Sequence, residues 1–93
     1  MTKTVMQLSN DDNLALTLVI NDRTATYYYN GGEFVFTGEQ NSGECWINNV
    51  HYNYNIDSNE VMYITNSDGA IAYVAKNAYS EDDMYAFIKT VLS

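Results

Sequence analysis

The chain holds one cysteine and one histidine, Cys45 and His51, the residue types from which a thiol–imidazole nucleophile is built. A base activates a nucleophile only within hydrogen-bond reach, so the two must meet on one face of whatever carries them. The residues between them read as a hairpin. A two-residue turn at Asn48-Asn49 sets Ile47 opposite Val50 and Cys45 opposite Tyr52. His51 then projects from the other side of the sheet, and we expect a structural cysteine and a surface histidine. A structural zinc site needs about four nitrogen or sulfur ligands, more than this pair supplies.

The remaining chemistry-bearing residues are carboxylates and amides. Asp57-Ser58-Asn59-Glu60 and Asp11-Asp12-Asn13 are rich in oxygen, yet neither has the alternating spacing and glycine of a calcium loop. Both read as turn-capping clusters. Asn30-Gly31-Gly32 is not followed by a helix, which removes the phosphate-cradle reading. Nothing marks two carboxylates as buried neighbours, the condition for general acid–base work. We expect no enzyme, no metal and no cofactor.

These residues need a scaffold, and the turn chemistry supplies its outline. Asn, Asp, Gly and Ser cluster at 21–22, 30–32, 38–43, 48–49, 57–59 and 68–69, with no proline anywhere. Segments rich in Val, Ile, Thr, Tyr and Phe lie between them, and strands are expected near 4–9, 14–20, 23–29, 33–37, 44–48, 50–56, 60–66 and 70–75. A turn at Asn21-Asp22 sets Leu18 opposite Ala25 and Leu16 opposite Tyr27; one at Asn30-Gly31 sets Tyr27 opposite Phe34 and Ala25 opposite Phe36. Leu14, Leu16, Leu18, Ile20, Ala25, Tyr27, Tyr29, Phe34 and Phe36 then share one face, as a meander requires. The hairpin closed by Asp68-Gly69 is apolar on both faces (Val61 and Tyr63; Met62 and Ile64), which suits a central or helix-covered position.

Beyond Ser80 the period changes to that of a helix. Ser80 is a candidate N-cap with Asp83 completing a capping box, and Glu81, Asp82 and Asp83 suit the positive helix end. Met84, Phe87, Ile88, Val91 and Leu92 form one apolar stripe that needs a surface to cover. The expected architecture is a single α+β domain over 1–93: an antiparallel meander of about six to eight short strands with one C-terminal helix packed on the sheet.

Charge narrows the function. Four basic residues against twelve acidic ones give a net charge of −8, which disfavours unaided binding to nucleic acid or anionic lipid. From Arg23 to Lys76 no cation interrupts the chain, while Glu33, Glu39, Glu44, Asp57, Glu60 and Asp68 fall within it. Such a field is complementary to a basic protein. Strand alternation turns Thr24, Thr26, Tyr28, Glu33, Val35, Glu44, Trp46, Asn48, His51, Asn53 and Asn55 outward. Aromatic anchors among polar groups resemble a protein-binding surface. The candidate contact residues are therefore Tyr28, Glu33, Glu39, Glu44, Trp46, Asp57, Glu60 and Asp68.

A lone thiol fits a reducing compartment. The longest apolar run, Leu14 to Ile20, is too short to span a bilayer, and Asn10-Asp11-Asp12-Asn13 is acidic where a signal peptide is basic. A cytoplasmic protein is expected. In size and charge, though in no motif, the chain resembles the small acidic domains with which phages block CRISPR effectors, restriction enzymes or DNA glycosylases. That resemblance implies a non-enzymatic inhibitor of the DNA-mimic type, anti-CRISPR or anti-restriction, acting in the host cytoplasm on a Cas effector, nuclease or similar protein. The alternative expectation is an assembly module that forms a homodimer through a sheet edge or an apolar face.

Overall fold

The computed structural model describes residues 3–11 and 14–93. Among these residues, eight strands run in chain order across one antiparallel sheet: β1 (Lys3–Asp11), β2 (Leu14–Asn21), β3 (Thr24–Tyr29), β4 (Gly32–Gly38), β5 (Ser42–Ile47), β6 (Val50–Ile56), β7 (Met62–Thr65) and β8 (Ile71–Ala75). A helix, α1 (Glu81–Leu92), follows and packs on one face. The meander expected from the turn spacing is therefore the fold. Much of the Asp11-Asp12-Asn13 cluster lies outside the described residues.

Turn chemistry sets the register. Asn30-Gly31 and Asn48-Asn49 all take positive φ, at 54° and 80°, and at 51° and 72°, as the hairpin turns that match strand twist require. They pair Tyr27 with Phe34 and Cys45 with Tyr52, as the sequence predicts. The β2–β3 turn is a correction. It falls on Asp22-Arg23 instead of Asn21-Asp22, so Leu18 faces Tyr27 and Ile20 faces Ala25. Asp22 takes the positive φ, 57°, while Asn21 stays in the strand opposite Thr24. The register moves by two residues, and an even shift keeps every side chain on its expected face.

The helix covers the face that carries Leu16, Phe34, Cys45, Ile64 and Ala75, all buried. Its own stripe contributes Ile88 and Leu92 as buried residues, with Met84, Phe87 and Val91 packed beside them. Aromatic rings fill the layer between. Phe34 stacks on Phe36 at 4.6 Å between centroids, and Phe87 meets Phe34 and Tyr73 edge-on at 6.1 and 6.4 Å. Asp83 donates its backbone N–H to Ser80 Oγ at 3.4 Å, so Ser80 caps the helix as its sequence context predicts. Lys89, near the other end, lies 5.9 Å from the Tyr29 ring centroid.

One close approach shapes the end of the sheet. Gly38 and Gly43 face each other across β4 and β5, and a Cβ on Gly43 would sit 2.3 Å from the Thr37 carbonyl oxygen. Glycine is therefore required there. The Tyr54 ring packs over the gap, and its hydroxyl donates to the Glu39 carbonyl at 2.5 Å.

Candidate functional site

Helix and core occupy one face of the sheet, which leaves the other face open to solvent across all eight strands. Cross-strand pairing lays out its rows. Val5, Val19, Thr26, Val35, Trp46 and His51 form one continuous row over six strands. Beside it run Gln7, Thr17, Tyr28 and Glu33. On its other flank lie Thr24, Thr37, Glu44 and Asn53. The face thus has a β-branched and aromatic centre with carboxylates on both sides.

Two groupings stand out on this face. Trp46 and His51 are directly opposed, with ring centroids 5.2 Å apart, and His51 Nε2 lies 3.4 Å from Glu44 Oε1. Tyr28 and Glu33 are also directly opposed and border a hollow of about 390 Å³ with Asn48 and Asn49. Tyr28 is 40% exposed. Asn48 fixes Glu33 from the next hairpin. Its side-chain oxygen accepts from the Glu33 N–H, and its own N–H donates to the Glu33 carbonyl, both at 2.9 Å. These two hydrogen bonds fix the backbone from which Glu33 projects.

The other four predicted residues lie elsewhere. Glu39, Asp57 and Glu60 belong to the turns at one end of the sheet, and Asp68 belongs to a turn at the opposite end. Glu39 is engaged by the Arg23 guanidinium in a solvent-exposed ion pair, so its charge is partly offset. Asp57 Oδ1 accepts from the N–H groups of Asn59 and Val61 at 2.9 and 3.0 Å, which makes this carboxylate a turn staple as well as a charge. Asn66 does the same for Asp68 and Ala70.

Sequence reasoning missed the density of charge at the Glu39 end. In a meander the second, fourth and sixth turns share one end, and the chain leaves β8 there to begin the helix. Among the described residues, that parity gathers Asp22, Glu39, Asp57, Glu60, Glu81, Asp82 and Asp83, seven carboxylates, against Arg23, Lys76 and, at the start of β1, Lys3. The signal was available in the order of the turns.

Cys45 is fully buried on the helix side, opposite in facing to His51. Burial pushes its thiol from 9.0 up to about 12, so it stays protonated and unreactive at neutral pH. Among the described residues no three His, Cys, Asp or Glu side chains come together as a metal would need, and no helix is long and apolar enough to cross a membrane. Compared with known protein families, curated proteins and solved structures, the chain matches none.

Proposed function

We propose that the chain is a non-enzymatic inhibitor which binds a basic, nucleic-acid-handling protein through the open face of its sheet. The observation that carries this reading is the make-up of that face. Trp46 and Tyr28 stand beside Glu44 and Glu33, and strands β3 to β8 contribute no lysine or arginine to either side. Carboxylates there meet arginine through paired hydrogen bonds and lysine as point charges, in places where nucleic acid phosphates otherwise sit. Long-range attraction speeds encounter, while the aromatic anchors slow release. The target class is a Cas effector, a restriction enzyme or a similar nuclease, and the setting is the cytoplasm of a phage-infected cell.

A second reading, self-association, has one observation in its favour. β1 is an edge strand nine residues long, and Thr4 to Gln7 along it are exposed. The net charge of −8 opposes it, since two copies would repel.

Salt separates the two. The immobilised chain is challenged with purified basic nucleases and Cas effectors at low and high salt, where the screening length falls from roughly 10 Å to roughly 3 Å. The inhibitor reading expects capture at low salt, steep loss at high salt, and displacement of nucleic acid from the captured enzyme. Capture of none of them, with a salt-resistant dimer in its place, overturns that reading in favour of assembly.

A further inference from the structure

We propose that the groove beneath the first turn of α1 is a second binding site, which takes a bulky apolar side chain from a lysine- or arginine-rich segment of a partner protein. It lies on the helix side of the sheet, away from Trp46 and Tyr28, and it stands or falls separately from the open face.

The groove is made of two adjoining hollows, of about 310 Å³ and about 530 Å³, that share Tyr27, Ala78, Tyr79 and Met84. Its origin is legible in the helix. The first turn spends three positions on Glu81, Asp82 and Asp83, so its first core-directed residue is Met84, while the buried Ile88 and Leu92 lie in the second half. Small residues, Ala25 on the sheet and Ala78 before the helix, leave the remaining space unfilled. Phe36, Ile56 and Met62 line the first hollow, and Leu8 and Leu18 line the second. Three apolar residues along it are well exposed: Met6 at 38%, Ile20 at 36% and Tyr79 at 44%. Apolar side chains left facing water around a concavity mark a contact surface.

Charge selects the occupant. Glu81 borders one hollow, while Glu39 borders the other together with Arg23, its ion-pair partner, and Asp22, Glu60, Asp82 and Asp83 belong to the same end of the sheet. Of the cations placed at that end, Lys3, Arg23 and Lys76, Arg23 is already engaged by Glu39. An apolar side chain flanked by cations satisfies both floor and rim. A second copy of this chain would bring carboxylates against carboxylates.

The test is amide NMR of the full chain titrated with three pentapeptides: leucine flanked by two lysines on each side, the same peptide with alanine at the centre, and leucine flanked by glutamates. The leucine–lysine peptide is expected to shift the amides of Ala25, Phe36, Ala78 and Met84. The alanine version should bind about tenfold more weakly, and the glutamate version should leave the spectrum unmoved. Ala78→Trp, or Ala25→Leu should the first fail to fold, fills the groove and is expected to abolish these shifts. No shift with the leucine–lysine peptide, equal binding of the leucine and alanine versions, or shifts confined to Tyr28 and Trp46 would each overturn the proposal. So would broadening of the groove amides that grows with protein concentration before peptide is added, which would make a second copy the occupant.

Discussion

Replacing Glu60 with glycine is expected to stabilise the protein although it deletes a side chain. Residues 57–61 and 66–70 form two loops built to one plan. In each, a first-position side chain accepts from the N–H groups two and four residues on. In each, the fourth residue donates back to the first carbonyl at 3.0 Å. That fourth residue is Glu60 in one loop and Gly69 in the other, at φ 62° and 86°. A left-handed conformation costs an L residue roughly 1–2 kcal/mol, and glycine escapes this at roughly 0.5–1 kcal/mol of extra unfolded-chain entropy. Glu60→Gly should therefore gain about 0.5–1 kcal/mol, a rise in Tm of about 3–6 °C for a domain of this size. Gly69→Ala is the reciprocal probe. A Cβ there has nothing within 4 Å, so its cost, about 1 kcal/mol, comes from the backbone alone. Thermal and urea unfolding followed by circular dichroism measures both. A lower midpoint for Glu60→Gly, or an unchanged one for Gly69→Ala, would refute the reasoning.

Further outcomes follow from the core and its thiol. Ile88→Ala leaves a cavity under the helix and should cost roughly 2–5 kcal/mol in urea unfolding; a loss below 1 kcal/mol, itself about the cost of deleting a single buried methylene, would mean the helix packs loosely. Asp57→Ala strands two N–H groups and should cost about 1–2 kcal/mol, whereas Asp57→Asn, copying Asn66, should stay close to wild type. Cys45 should react with a thiol reagent only on the timescale of unfolding, and immediate reaction would contradict its burial. Burial raises the Cys45 thiol from 9.0 to about 12, and burial followed by Tyr85 and Glu81 raises Tyr27 from 10.0 to about 12. The folded state thus holds these protons more tightly than the unfolded one. Their contribution is complete below pH 9, starts to fall as the unfolded thiol ionises, and is lost as pH passes about 12. Cys45→Ala should flatten the decline that begins near pH 9; an identical slope in both proteins would count against it.

The strands were legible because each is bounded by residues with a mechanistic reason to turn, and because alternation and turn length agreed independently. The β2–β3 turn was misplaced because Asn21, Asp22 and Arg23 offer two adjacent placements; local chemistry alone does not choose between them. The helix and its cap were readable from Ser80 and the apolar stripe. Which face stayed open was harder to see, since Tyr28 and Trp46 lie on one side while Tyr27, Phe34 and Phe36 lie on the other. The helix covers the side with Leu16, Phe34 and Ile64, where its own Ile88 and Leu92 complete the core. For the candidate site, alternation placed Glu33, Glu44, Tyr28 and Trp46 together. The pairing of Glu39 with Arg23, and the groove left between Ala25 and Ala78, depend on three-dimensional closure that no local pattern encodes.

The open face is tested most directly by reversing its charge. Affinity of the wild type and of the Glu33→Lys, Glu44→Lys double variant for one captured nuclease should be measured at low salt, with circular dichroism confirming that both are folded. Loss of two interfacial charge contacts and gain of two repulsive ones predicts binding weaker by roughly 10- to 100-fold. Equal affinity for the two folded proteins would contradict the account.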